Sequence, residues 1–378
     1  MALKTIDKKI VGTIDNLEDK LNGEIPVTRE ELLLLVSSWG RRLGFATKDS
    51  QNKDIYIGSC EVKECYDLSK LDTSEITNMD SIFYSSRFHN SDIGNWDVSN
   101  VTAMNRMFYG AEKFNSNISK WNMSSVTDMS YMFYNTKEFN QPLNNWDVSN
   151  IINMNSMFLE AIKFNQPLDK WNTSNVTKMY NLFSYTKRFN QNISTWDVSN
   201  VVNMEGMFRN AEKFNQPLNT WNTANVKYFN LMFTDSIFNQ PIENWNLSNA
   251  LSMNSMFYRA ENFNQDISSW DISNVTNIEF MFNNAINFNQ NIFNWDFSNV
   301  KKMQYIFQQA EKIINKYNNG EDLPNYTDDI KEWIINNRDR MNMIDLKEKH
   351  GDEIDNFFSK YSLIKNNNLL TECNKQSL

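Results

Sequence analysis

Nucleophilic and acid–base catalysis need side chains that converge. The chain offers two histidines, His89 and His350, and three cysteines, Cys60, Cys65 and Cys373. His89 falls inside a repeated array and His350 in the stretch that follows it, so no Cys-His or Ser-His-Asp set can be assembled. His89 reads as a structural residue. Cys60 and Cys65 lack the second cysteine pair or local histidine that a tetrahedral zinc site takes, and three cysteines cannot all pair. Between residues 71 and 310 the only glycines are Gly94, Gly110 and Gly206, too few and too scattered to cradle a phosphate. The expectation is a protein without catalysis, cofactor or metal.

Binding chemistry is better represented. One column holds only Asp or Asn: Asp72, Asp97, Asn122, Asp147, Asn172, Asp197, Asn222, Asn246, Asp271 and Asp296. Carboxylates about 5 Å apart repel, and interleaved amides relieve the repulsion while keeping a hydrogen-bond acceptor. The column reads either as a structural ladder or as an acidic concave strip for a basic partner or cation, with Asp97, Asp147, Asp197, Asp271 and Asp296 as the candidate partner-binding members. No Gly-rich loop or bidentate carboxylate supports the cation. Tyr109, Tyr131 and Tyr134, with Tyr180 and Tyr185, gather at positions that vary between units, where exposed tyrosines would build a protein interface or pack on their neighbours.

These columns exist because the chain repeats. Trp96, Trp121, Trp146, Trp171, Trp196, Trp221, Trp245, Trp270 and Trp295 are spaced by 25 residues with one step of 24, and Leu71 begins a unit of the same pattern. Ten units therefore run from residue 71 to 310. With Trp as position 1, the unit at Trp146 places Ile151, Met154, Met157, Phe158 and Ala161 at positions 6, 9, 12, 13 and 16, which is helical spacing, while Trp146 and Val148 alternate with polar neighbours as a strand would. The pattern predicts a strand, a turn at Ser-Asn, two to three turns of helix and a return through Phe-Asn-Gln. Parallel strands recurring at this period should stack into a curved solenoid. Parity turns the Trp ring toward the core rather than toward a sugar or base. The Asn column at position 20, Asn115 to Asn289, reads as a ladder tying down turn backbone.

A stack exposes its ends, so caps are expected. Residues 1–70 supply an N-terminal helical cap, in which Thr28 and Glu31 form a capping box for a helix through Leu35 and Trp39 toward Leu43. Residues 311–378 supply a C-terminal helical cap, with Thr327 opening a helix that carries Ile330, Trp333 and Ile334. Composition fits a large aromatic core: 26 Phe, 19 Met and 11 Trp in 378 residues. A net charge of −9 opposes binding to nucleic acid or an anionic membrane. No signal peptide or membrane-spanning run is expected from the sequence, with Leu32 to Val36 the longest apolar stretch.

The run Trp-Asp-Val-Ser-Asn-Val-Thr, followed by Met, Met-Phe, Ala and Phe-Asn-Gln, resembles the 25-residue repeat of the BspA-like leucine-rich-repeat family, and it does so through all ten units. One single-residue deletion near Ser236 and an irregularity at Phe88-His89 interrupt it. The resemblance implies a leucine-rich-repeat-like solenoid for protein recognition, of a kind often displayed on microbial surfaces. Without a secretion signal, lipidated cysteine or anchor in the sequence, a cytoplasmic or virion setting is expected. The leading expectation is a non-enzymatic scaffold that binds a protein partner and can also self-associate. The alternative is a structural or virion-type component acting as a stiff spacer or packing element.

Overall fold

The computed structural model describes residues 14–37, 47–48, 54–55, 67–86, 90–290, 292, 295–308 and 310. Residues one unit apart in sequence are neighbours in space. Parallel single-residue bridges run from Asn78 to Ala103, Asp128, Asn153, Lys178, Asn203, Tyr228, Ser252, Asn277 and Lys302, all at position 8.

The unit differs from the expected strand-turn-helix. Among the described residues the array holds no α-helix, and positions 9 to 16 form a run of turns. The interface between the units at Trp96 and Trp121 shows how the backbone is satisfied. The N–H groups of Met104, Arg106, Phe108 and Gly110 donate across to the carbonyls of Asp128, Ser130, Met132 and Tyr134 at 3.1, 2.9, 2.9 and 2.7 Å. Those of Met107, Tyr109 and Ala111 fold back onto Met104, Arg106 and Phe108 at 3.2, 3.1 and 2.9 Å. Of the eight donors from Met104 to Ala111, four thus join the next coil, three close local turns and Asn105 N–H donates to Asp80 Oδ1 of the coil before at 2.7 Å, which leaves none for an i→i−4 helix.

Left-handed residues recur at positions 11 and 15, for instance Arg106 (φ 56°) and Gly110 (φ 68°), then Tyr131 (φ 58°) and Asn135 (φ 54°). A type II turn requires that conformation at its third residue, and an α-helix does not survive it. The expected strand at Trp is likewise replaced. Trp96 and Val98 are buried with Asp97 exposed between them, as their parity predicts, but turns close on either side through Trp96 N–H to Ile93 O (3.2 Å) and Val101 N–H to Val98 O (3.0 Å).

The side chains that point inward form columns. Trp96 to Trp295 are 2–4% exposed, and each of the nine donates its indole N–H to a carbonyl one coil back, at 2.8–3.2 Å. This places the rings in the core and removes the sugar-stacking surface. Phe108 stacks on Phe114 of its own unit at 3.8 Å and on Phe133 of the next at 5.7 Å. A buried Trp keeps its polar end only where an acceptor waits, and the repeat supplies one per unit.

The Asn column behaves as its spacing predicts. Eight successive backbone N–H groups, from Asn115 to Asn289, each donate to the Oδ1 of the Asn one unit before, at 2.8–3.0 Å. The following Gln adds a second donor in five units. Asn165→Ala removes the acceptor of both Asn190 N–H and Gln191 Nε2 and is expected to cost about 1–3 kcal/mol in denaturant unfolding. Asn165→Asp retains the acceptor and should cost clearly less; equal losses would show that the amide, not its oxygen, matters.

At the front, α1 (Leu17–Leu21) and α2 (Arg29–Ser37) pack their apolar residues into the same core, with Val27, Leu32, Leu35 and Val36 buried. The capping box is present: Glu31 N–H donates to Thr28 Oγ1 at 3.2 Å and Thr28 N–H to Glu31 Oε2 at 2.9 Å. The seam to the first unit is made by Val27 N–H on Asp72 O (2.9 Å) and Arg29 Nη2 on Asp80 O (2.8 Å). A short antiparallel pair, β1 (Thr47–Lys48) and β2 (Asp54–Ile55), follows. Trp39, Leu43, Cys60, Cys65, Phe88-His89, His350, Cys373 and the C-terminal cap of residues 311–378 lie outside the described residues.

Candidate functional site

Each member of the Asp/Asn column does one local task. Its Oδ1 accepts the N–H of the residue two positions on, in all ten units from Asp72 to Asp296, at 2.9–3.2 Å. This is an Asx turn, and only Asp and Asn carry that oxygen at that reach. The requirement explains why the two types interchange. The column stands at turn tips, with Asp97, Asp147, Asp197, Asp271 and Asp296 exposed.

In Asp97, Asp147, Asp197 and Asp271 the hydroxyl and then the N–H of the serine two residues on hold the carboxyl below its ordinary value. For Asp296 the N–H of Ser298 contributes most, against a small upward push from Asp271. A carboxyl depressed in the folded state adds stability above its unfolded pKa, and that contribution is lost as pH falls through the folded value. The triple variant Asp147→Asn, Asp197→Asn, Asp271→Asn keeps every Oδ1 acceptor. Its stability at pH 7 is expected to be close to that of the parent, and its decline as pH falls below the ordinary aspartate value, about 4, shallower. Parallel declines in an acid titration followed by circular dichroism would remove the serine bonds as the cause.

The tyrosines do meet. Tyr84, Tyr109 and Tyr134, all at position 14, form a stack with ring centroids 4.7 and 4.3 Å apart. Tyr131 lies beside it, 6.4 Å from Tyr134 and tilted, with the Arg106 guanidinium 5.0 Å from the Tyr131 ring centre. These rings are half-buried rather than fully exposed, because each covers the face of the next. Burial pushes the Tyr84, Tyr109 and Tyr134 phenols above their ordinary value; Tyr109 lifts Tyr84, Tyr134 lifts Tyr109 and Glu160 lifts Tyr134 further. Tyr185 is apart from this group, under Arg209 at 5.5 Å. The aspartates at position 2 and the tyrosines at positions 11 and 14 occupy different stretches of the coil.

Sequence reasoning missed a third surface. Ile152, Val202 and Leu251 at position 7 and Tyr228 at position 8 are 48, 39, 37 and 37% exposed. The signal was available: most other units carry Thr or Lys at position 7, so an aliphatic residue there departs from the pattern without serving the core. Opposite charges on neighbouring units pair elsewhere, as in Lys137–Glu112 at 3.3 Å and Lys187–Glu212 at 2.7 Å, surface pairs that add little to stability. Among the described residues, no cluster of three or more His, Cys, Asp or Glu is arranged to hold a metal ion, and no helix is long and apolar enough to cross a membrane.

No curated protein and no solved structure matches the chain. Three overlapping stretches, residues 54–171, 156–249 and 234–321, match one family of tandem repeats, and together they cover more than half of the 378 residues. The chain belongs to the family described as Mycoplasma protein of unknown function, DUF285.

Proposed function

We propose that the chain is a non-enzymatic protein–protein interaction scaffold, a BspA-like solenoid of leucine-rich-repeat type, whose partner contacts the tyrosine cluster of the first three units. The observation that carries this reading is the Tyr84–Tyr109–Tyr134 stack with Tyr131 and Arg106 alongside. Later units place Leu159, Ser184 and Arg209 at the same position 14, so coil packing does not demand tyrosine there. Tyr and Arg are the residue types that carry most energy in protein interfaces, since they combine large contact area with a polar end. The aspartate column supports partner binding less well, because its Oδ1 atoms are used within the turn.

The test compares chemical cross-linking of the native chain in cells of its source with that of two variants. Tyr109→Ser with Tyr134→Ser should lose the captured partner while keeping its unfolding midpoint within a few degrees, whereas the triple Asp→Asn variant should keep it. The opposite pattern would return the interface to the aspartates. The alternative, a structural or virion-type rod, draws on the unbroken bridge line from Asn78 to Lys302. A rod would enter its assembly with the tyrosine variant unaffected.

A further inference from the structure

We propose that the position 7–8 face binds an acidic amphipathic helix of a partner protein, laid along the stack from Ile152 to Leu251. This goes beyond the scaffold reading, since the face shares no residue with the tyrosine cluster and works without it. Position 7 forms a continuous ladder across the middle of the array. Ile152 N–H donates to Thr127 O, Thr177 to Ile152, Val202 to Thr177, Lys227 to Val202 and Leu251 to Lys227, at 2.9, 3.0, 3.2, 2.9 and 2.9 Å. The five units from Ile152 to Leu251 therefore present successive rungs, about 4.8 Å apart. Their backbone groups are already paired between coils, so a partner is held by side chains and not as an added strand.

Two kinds of side chain alternate on those rungs. Where position 7 is Thr, its hydroxyl supports the preceding coil, as in Thr102 on Thr77 O (3.3 Å) and Thr276 on Leu251 O (3.1 Å). Ile152, Val202 and Leu251 give up that bond and leave exposed aliphatic surface instead. On the rungs between them stand Lys178, at position 8, and Lys227, at position 7, both exposed. Neither ammonium makes an ion pair among the described residues. Tyr228 widens the apolar strip beside Lys227.

Charge selects an acidic partner. The chain carries a net charge of −9, yet between Ile152 and Leu251 positions 7 and 8 hold no carboxylate. From Asp128 onward, the acidic side chains at positions 8 and 10 have partners of their own. Asp128 accepts Ser130 N–H at 2.7 Å and Asn153 Nδ2 at 3.1 Å, Glu205 accepts Asn230 Nδ2 at 3.4 Å, and Glu279 lies 4.0 Å from Lys302. An acidic polypeptide is thus drawn to this strip and repelled by the aspartate-lined turn tips. Nucleic acid fits less well, because three aliphatic side chains interrupt the two lysines.

Spacing selects a helix. Ile152 to Leu251 spans four intervals, about 19 Å, and fourteen residues of α-helix rise about 21 Å. One helical turn therefore meets one rung, whereas the same-face residues of an extended strand recur at about 6.6 Å and fall out of step. A helix with apolar and acidic residues on alternate turns of one face sets the former against Ile152, Val202 and Leu251 and the latter against Lys178 and Lys227.

The probe is an Ala-rich, fluorescein-labelled peptide of roughly 16 residues, with Leu at its first, eighth and fifteenth residues and Glu at the fourth, fifth, eleventh and twelfth. Fluorescence anisotropy with the full chain should give a Kd on the order of 10–100 µM that rises with salt. Lys178→Glu with Lys227→Glu should weaken binding more than about tenfold, and Val202→Asp severalfold. The unfolding midpoint should not change, since all three side chains are exposed. A peptide with Lys in place of each Glu should bind the double variant and not the parent. Tyr109→Ser with Tyr134→Ser should bind the acidic peptide as the parent does. Absence of binding at about 1 mM peptide overturns the proposal. So does binding indifferent to the lysine reversals, which would lie on another face. Oligothymidylate of equal charge bound as tightly would make the strip a general polyanion surface and overturns it as well.

Discussion

Trp196→Ala is expected to cost about 3–5 kcal/mol, the range for truncating a fully packed large aromatic. Three losses combine. The ring is 3% exposed, so its removal leaves a cavity between coils that are held in register by their own backbone bonds and cannot collapse freely. Its ring neighbours, Trp171 stacked at 5.9 Å and Phe183 tilted at 6.0 Å, lose contact area. The carbonyl of Leu168, which accepts the indole N–H at 2.9 Å, is left buried without that donor.

Position in the array amplifies the effect. Each coil is stabilised mainly by its two neighbours, so a weak rung near the middle separates the units before it from those after it. Urea unfolding followed by far-ultraviolet circular dichroism should show the midpoint falling and the single transition broadening or dividing. Trp196→Phe, which fills most of the space but lacks the N–H, should fall between parent and Ala. A near-neutral Trp196→Ala would place the ring outside the core and contradict the packing described above.

The repeat, its length and the inward columns were legible because burial is written in residue type. Trp, Met-Met-Phe and Phe recur at fixed positions, and each is buried. The Asn ladder was legible for a related reason, since an invariant amide at every unit has few structural uses other than pairing with its copies. The local conformation was not. Positions 9, 12, 13 and 16 are buried while 10, 11, 14 and 15 vary in residue type and exposure, a period of four that eight residues cannot separate from 3.6.

The discriminating signal lay in the positions that vary. Ser81, Ser156, Asn181, Gly206 and Ser255 occupy position 11, and Gly110, Asn135, Asn210 and Asn284 position 15. Short polar residues and glycine tolerate the left-handed conformation and interrupt helices. Tyr131, Tyr185, Leu231 and Phe280 adopt the same conformation at φ 56–58°, which composition alone would not suggest; the interlocking bonds to the next coil hold them there. The Asx role of the aspartate column was missed for a similar reason. Its partner N–H lies in the backbone, which a column of side-chain types does not display.

Deleting Trp146 to Lys170 should be tolerated far better than deleting Trp146 to Met157. Removal of the whole unit joins Asn145 to Trp171 in register. The N–H groups of Met129, Tyr131 and Phe133, which now donate to Asn153, Asn155 and Met157 at 3.1, 2.9 and 2.9 Å, would meet the equivalent carbonyls of Lys178, Tyr180 and Leu182. Arg188 would take the place of Lys163 beside Glu138, and Asn190 would donate to Asn140 in the position-20 ladder. One coil's worth of neighbour energy is lost and every remaining rung keeps its partners. Removal of twelve residues takes away those same three carbonyls and supplies none. Three buried donors are orphaned at about 1–3 kcal/mol each, the Trp and both Met columns are interrupted at one level, and the coil is too short to return to its start. The in-register variant should unfold in one cooperative urea transition with a modestly lower midpoint. The half-unit variant should lose its folded circular dichroism signal or unfold in two stages. Equal damage from the two deletions would mean that stability does not reside in unit-to-unit contacts, and the stack of interchangeable coils would have to be abandoned.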